Sequence, residues 1–116
     1  MDDRIRKWLM DIQTAIDEIN FFLDTETMGF HQYQSNLLLK RAVERSLEII
    51  GEAVNRIVKY DLSYQDKIEN SMKIIGLRNQ IIHSYDNISD ENVWSILISH
   101  LPTLDKNVKQ LLKSNP

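Results

Sequence analysis

The spacing of apolar residues constrains this chain more than any other feature. Large apolar residues recur every third or fourth position over long stretches, and they rarely alternate with polar residues as they would in a half-buried strand. Only 3 glycines and 2 prolines interrupt the 116 residues. The pattern therefore predicts an all-α fold.

Breaks in the pattern divide the chain into four helical segments. They cover residues 3–23, 33–59, 64 to 82 or 83, and 89 or 90 to the C-terminal region. Gly29 is the expected pivot of the first connection, and Ser63 is a candidate N-cap for the third segment. Ser89 and Asp90 are candidate caps for the fourth segment, which Pro102 should kink or split.

Short connections between long helices predict an up-down antiparallel bundle of four to five helices, in one domain covering residues 1–116. The second segment carries a broad apolar stripe, and the end of the third is apolar on several sides. Four helices do not need this much apolar surface, so we expect a homodimer.

Composition excludes several classes of protein. Without cysteine, neither a disulfide framework nor a thiolate zinc site is possible. The acidic opening "MDDRIRKW" does not suit a signal peptide, and no stretch approaches the roughly 18 apolar residues of a membrane span. We expect a cytoplasmic protein without a membrane partner. A net charge of −3 means that any nucleic-acid role depends on a local patch.

The third segment ends in "IIGLRNQIIHSYDNIS", which holds Arg78, Asn79, His83 and Tyr85 among apolar residues. Histidine can move a proton near neutral pH, and the guanidinium fork of arginine suits a phosphate. Without metal ligands, this pair is the minimum for cutting RNA through its own 2′-hydroxyl. The alternative is structural: a histidine that favours a helix C-terminus, a solvated arginine and a tyrosine that covers the core.

Arg78 and His83 are five residues apart, which places them about 140° apart around an ideal helix. Either the helix unwinds near its end, or a second copy of the chain completes the site.

A row of acidic residues on the second segment has two interpretations. Glu44, Glu48 and Glu52 could bind a metal, but three arginines stand three or four positions away from them. We therefore favour a ladder of ion pairs and expect no metal and no cofactor. Glu52 could also orient Arg78. His100 is expected to be an ordinary surface residue, and Lys73 could contact a phosphate, although we favour a solvated role for it.

The motif R-N-x-x-x-H-x-Y stands in "IIGLRNQIIHSYDNISDENVW", after "RAVERSLEIIGEAVNRI" and before "LPTLDKNV". Together these stretches resemble the HepT-like branch of the HEPN superfamily. Two departures leave the motif intact: Ser84 stands where many relatives have glycine, and "DLSYQDKIENSMKIIG" lacks their proline and tryptophan.

The resemblance implies an all-α dimer that brings two R-x4-H motifs into one cleft. It implies a metal-independent endoribonuclease, with Arg78 and His83 as catalytic residues and Asn79 and Tyr85 contacting the RNA. It also implies a toxin of a toxin–antitoxin pair, whose antitoxin is a minimal nucleotidyltransferase that places AMP on Tyr85.

Two other functions remain open at this stage. The chain could be a non-catalytic helical dimer that docks a nucleotidyltransferase or binds a nucleotide through Arg78 and His83. It could also be a plain structural bundle in which the motif arises by chance.

Overall fold

A computed structural model describes residues 1–24, 27–83 and 88–114. These residues form seven α-helices and no strand, and five of the helices have ten or more residues. The all-α prediction is confirmed. The helices are α1 (Asp3–Phe22), α2 (Phe30–Ser35), α3 (Leu37–Tyr60), α4 (Tyr64–Lys67), α5 (Ser71–His83), α6 (Asp90–Ser99) and α7 (Leu101–Ser114).

The longest helix, α3, lies at the centre of the bundle. It packs against α1 on one side and α5 on the other, while α7 packs against α1 and α6. The apolar stripe predicted for this segment faces the core, and all six of its main members are buried: Leu39, Val43, Leu47, Ile50, Val54 and Ile57. Helices α1 and α3 run antiparallel, since Asp2 at the start of α1 bonds Tyr60 at the end of α3.

The second segment begins later than predicted. Tyr33 belongs to the separate helix α2, where its ring is fully buried and packs 5.5 Å from the ring of Trp94. Helix α3 starts at Leu37 because the side chain of Asn36 accepts a hydrogen bond from the backbone amide of Leu39, at 3.0 Å.

The third segment is divided into α4 and α5, which the apolar pattern did not predict. Asn70 lies between them with a φ of 61°, a left-handed conformation that no helix can continue through. Ser63 precedes α4 but makes no capping bond from its side chain; its hydroxyl donates to Asp61 instead. Helix α5 extends to His83, and residues 84–87, which follow the predicted end of the segment, lie outside the described residues.

The fourth segment follows the prediction closely. The hydroxyl of Ser89 caps α6 by accepting a hydrogen bond from the backbone amide of Asn92 at 3.1 Å. The split near Pro102 is also confirmed, since α6 ends at Ser99 and α7 starts at Leu101. Proline fits there because the first turn of a helix needs no backbone donor from it. In the described ranges, no helix is long and apolar enough to cross a membrane.

Candidate functional site

The site begins where α5 crosses α3. Gly51 of α3 lies directly beneath Arg78 of α5: a Cβ at Gly51 would overlap the Cβ of Arg78 and lie 2.9 Å from its Cγ. The same Cβ would lie 3.2 Å from the carbonyl oxygen of Ile74. The glycine therefore lets the two helices approach closely, and this approach sets where the Arg78 side chain leaves α5.

The guanidinium of Arg78 is held by two acceptors. Its Nη2 lies 2.7 Å from Oε2 of Glu52, and its Nη1 donates to Oδ1 of Asn79 at 3.1 Å. Its Nε is buried and has no partner among the described residues. The Arg78 side chain as a whole is 25% exposed.

Glu52 connects two arginines. While Oε2 faces Arg78, Oε1 accepts a hydrogen bond from Nε of Arg56 at 2.9 Å. A carboxylate that bridges two guanidinium groups has little freedom to rotate, so it restricts the orientation of Arg78.

These side chains line a groove of about 310 Å³ between α1 and α3, which we call the α1–α3 groove. It is lined by Trp8, Asp11, Arg45, Glu48, Ile49, Glu52, Ala53, Arg56 and Arg78. Its three arginines all have carboxylate partners, because Arg45 pairs with Glu48 at 3.1 Å and the other two share Glu52. Its positive charge is therefore largely neutralised.

The predicted ladder of ion pairs along α3 is confirmed. Glu44 pairs with Arg41 at 2.9 Å, Glu48 pairs with Arg45, and Glu52 pairs with Arg56. Within the three described stretches, no group of three or more histidine, aspartate and glutamate side chains is placed to hold a metal ion.

His83 is the last residue of α5 and is exposed. Because α5 is helical from Arg78 through His83, the two side chains leave it about 140° apart. The alternative in which the helix unwinds near its end does not hold for the residues up to His83, and residues 84–87 lie outside the described residues. A single chain thus brings Arg78, Asn79 and Glu52 together and keeps His83 on another face of α5. Tyr85 lies outside the described residues.

Sequence reasoning missed the part that Gly51 plays. A glycine inside a long, otherwise regular helical pattern signals a close packing contact, and Gly51 stands in the middle of α3. The pattern alone could not show that the residue packed against Gly51 would be Arg78 of α5.

The fold and site together define an all-α protein with an oriented arginine and a solvent-exposed histidine on the next turn of the same helix. The chain belongs to the HepT-like ribonuclease family: residues 12–111 match the family described as "Ribonuclease HepT-like". The resemblance to the HepT-like branch of the HEPN superfamily is thereby confirmed.

Three relatives agree with this assignment. A protein of Methanocaldococcus jannaschii named "Putative RNase" is 33% identical over 108 residues, covering 90% of this chain and 94% of the relative. A second protein of that name, from Caldanaerobacter subterraneus subsp. tengcongensis, is 30% identical over 103 residues, covering 88% and 91%. A "Probable ribonuclease HepT" of Thermococcus cleftensis is 28% identical over 108 residues, covering 93% and 96%. No solved structure shows a significant match.

Proposed function

We propose that this protein is a metal-independent endoribonuclease in which His83 and Arg78 carry the chemistry. The imidazole of His83 removes the proton of an RNA 2′-hydroxyl, and the freed oxygen attacks the adjacent phosphorus. The bond from phosphorus to the 5′-oxygen then breaks, that oxygen takes up a proton, and a 2′,3′-cyclic phosphate remains. Arg78 stabilises the negative charge that builds up on the phosphoryl oxygens.

The observation that carries this proposal is the oriented, partly exposed side chain of Arg78. An arginine that is only solvated would not form both an ion pair with Glu52 at 2.7 Å and a hydrogen bond to Asn79 at 3.1 Å. An oriented cation is what a transition state of phosphoryl transfer requires. The family and its relatives supply the independent support for an RNA substrate.

The first test is cleavage of total RNA by purified protein in the presence of EDTA. His83→Ala and Arg78→Ala should each lower the rate by about 10²–10⁴-fold, because each removes a proton-transfer or charge-stabilising group. His31→Ala is the matched control, since it removes an exposed histidine from α2. Loss of all activity in EDTA, or full activity of His83→Ala, would contradict the mechanism.

We further propose that the site is shared between two copies of the chain. Arg78 and His83 face different sides of α5, so a second protomer has to supply one of them. Exposed apolar side chains on both helices are available to such a contact: Met72 of α5 is 55% exposed and Leu38 of α3 is 82% exposed.

Mixing two inactive variants tests the shared site directly. A dimer of one Arg78→Ala chain and one His83→Ala chain contains one intact site if Arg78 acts with His83 of the other copy. With random exchange of subunits, an equal mixture should regain about a quarter of the activity of the unmodified dimer. A mixture that stays inactive although sedimentation shows exchanged dimers would mean that each site lies within one protomer.

Glu52 is proposed as a positioning residue that acts through Arg78. Glu52→Gln keeps the shape of the side chain but removes the charge that grips the guanidinium, so kcat should fall more than KM rises. Glu44→Gln is the matched control, because Glu44 pairs with Arg41 in the same ladder and makes no ion pair with Arg78. Equal kinetics of the two variants would argue against the role of Glu52.

The remaining part of the proposal is control by a nucleotidyltransferase antitoxin, which makes the protein the toxin of a pair. In the modifying step, the hydroxyl of Tyr85 attacks the α-phosphorus of ATP, pyrophosphate leaves, and AMP stays on the tyrosine. Tyr85 follows the exposed His83 by two residues. The other three tyrosines are poorer acceptors: Tyr33 and Tyr64 are buried, and the hydroxyl of Tyr60 is bound to Asp2.

Mass spectrometry of the protein after incubation with its cognate nucleotidyltransferase and ATP tests this step. AMP should be found on Tyr85, RNA cleavage should stop, and Tyr85→Phe should block the modification. AMP on Tyr33, Tyr60 or Tyr64 would refute the assignment. Binding of the partner without any RNA cleavage by the free protein would favour a non-catalytic docking role.

A further inference from the structure

A second groove, of about 430 Å³, lies between α5 and α6, and we call it the α5–α6 groove. Among the described residues, α5 packs mainly against α3, and the groove lies on another side of α5. The floor is apolar, with Ile74 and Leu77 of α5 and Ile96 of α6. The rest of the lining is polar or open backbone: Asn70, Lys73, Gly76, Gln80, Asn92 and His100.

The charge of this lining differs from that of the α1–α3 groove. None of the described residues that line this groove carries a carboxylate, although the chain has 17 acidic residues against 14 lysines and arginines. Within the described residues, the side chains of Lys73, Gln80 and His100 have no hydrogen-bond or ion-pair partner. In the α1–α3 groove, by contrast, each arginine is already paired. The donors of the α5–α6 groove therefore remain available to a ligand.

The chemistry of the groove suits a nucleotide. Amide side chains both donate and accept, as the edge of a nucleobase does, and a lysine provides a cation for phosphate. The apolar floor can cover the face of a base. A volume of about 430 Å³ also lies in the range of roughly 300–1,000 Å³ that is usual for small-molecule sites.

The groove lies on the same side of α5 as His83. Gly76 and His83 are seven residues apart, which is almost two helical turns and an offset of only about 20° around the helix. Gln80 lies one turn before His83, close enough for neighbouring parts of one ligand to reach both. A Cβ at Gly76 would meet nothing within 4 Å, so this stretch of backbone is open to approach.

We infer that the α5–α6 groove binds one nucleotide of single-stranded RNA, beside the nucleotide whose 2′-hydroxyl His83 deprotonates. This inference rests on the proposed function and extends it, because it names a subsite through which the enzyme prefers some bases at the cut. The amides of Gln80 and Asn92 read the base edge, and Lys73 contacts a phosphate. The subsite gives sequence preference without a basic protein surface, which fits the net charge of −3.

Nuclear magnetic resonance with nucleoside 5′-monophosphates is the first readout. Titration of the isotope-labelled protein with AMP, GMP, CMP and UMP should shift the side-chain amide signals of Gln80 and Asn92. The side-chain amide of Gln34, which is exposed on α2, should not move. Gln80→Glu keeps the shape of the side chain and adds a negative charge, so it should weaken this binding about five- to tenfold. Gln34→Glu makes the same change of charge away from the groove and serves as the control.

Cleavage kinetics with the same two variants are the second readout. Gln80→Glu should raise KM for RNA about five- to tenfold with little change in kcat, and it should alter which base is preferred at the cut. If the wild-type enzyme cuts RNA and Gln80→Glu does so with the same KM and base preference, the inference fails and the proposed function stands. If mononucleotides bind in the groove but no RNA is cut, the proposed function fails and the nucleotide site stands.

Two further results would also overturn the inference. One is the absence of any shift of the Gln80 and Asn92 amide signals at millimolar concentrations of all four mononucleotides. The other concerns Gly76→Leu, which places a side chain in open space at the groove. If sedimentation shows that this variant dissociates the dimer, the groove is a contact between protomers and not a nucleotide site.

Discussion

Replacing Gly51 with alanine is the most direct test of how the bundle positions Arg78. The new methyl group would overlap the Cβ of Arg78 and lie 2.9 Å from its Cγ and 3.2 Å from the carbonyl oxygen of Ile74. Carbon atoms in favourable contact are about 3.5–4.0 Å apart. A Cβ and a carbonyl oxygen are fixed to the backbone, so no side-chain rotation relieves the overlap. Helix α5 has to move away from α3, by about 1 Å or more at this crossing.

The size of the effect follows from two opposing contributions. Alanine favours a helix over glycine by about 1 kcal/mol, while overpacking a well-packed contact costs about 1–3 kcal/mol and occasionally more. Because the clash involves backbone-anchored atoms, the upper part of that range applies, and the free energy of unfolding should fall by about 2 kcal/mol. The same movement lengthens the 2.7 Å contact between Arg78 and Glu52, and a misplacement of about 1 Å can lower a catalytic rate about 10²-fold.

Urea unfolding and RNA cleavage measure the two effects separately. Gly76→Ala is the control for stability, since a Cβ there meets nothing within 4 Å and the helix should gain about 0.5–1 kcal/mol. Gly51→Ala should therefore lower the free energy of unfolding, and Gly76→Ala should raise it. If Gly51→Ala proves as stable as Gly76→Ala and cuts RNA at the full rate, the close approach of α3 and α5 does not position Arg78.

Three further predictions concern the frame of the bundle. Tyr33→Phe should raise the free energy of unfolding by about 1 kcal/mol, seen as a higher melting temperature, because the Tyr33 hydroxyl is buried without a partner among the described residues and burial raises its pKa. Ser89→Ala should lower stability to urea by about 1 kcal/mol, because the amide of Asn92 loses its cap; an unchanged midpoint would refute this. The hydroxyl of Tyr60 and a backbone amide donate hydrogen bonds to the carboxylate of Asp2, and these bonds lower its pKa below the ordinary 3.8. The contribution of Asp2 to the free energy of unfolding is therefore complete above pH 3.8, and it is lost as the pH falls through the lowered pKa. Tyr60→Phe should raise the pKa of Asp2 in a titration followed by nuclear magnetic resonance, and no rise would show that the bond is not formed in solution.

The sequence predicted the long helices well because helical periodicity is a local property. The six-residue stripe of α3, the Ser89 cap and the break at Pro102 each depend on residues within one or two turns of one another. The start of α3 was misplaced because a local pattern does not show that the ring of Tyr33 packs against Trp94 across the bundle. Similarly, no periodic signal marks Asn70 as the left-handed residue between α4 and α5.

For the site, the sequence by itself determined the residue types and their spacing along α5. The 140° separation of Arg78 and His83 follows from five positions on a helix and needs no coordinates beyond the helix itself. Only the tertiary structure decided what each residue meets. Glu52 forms its ion pair with Arg78 because Gly51 lets α5 lie close to α3. A groove whose described lining has no carboxylate lies between α5 and α6 because α5 packs mainly against α3. Such contacts join residues far apart in the chain, and they depend on how the helices fit around a shared core, which the period of any single helix does not contain.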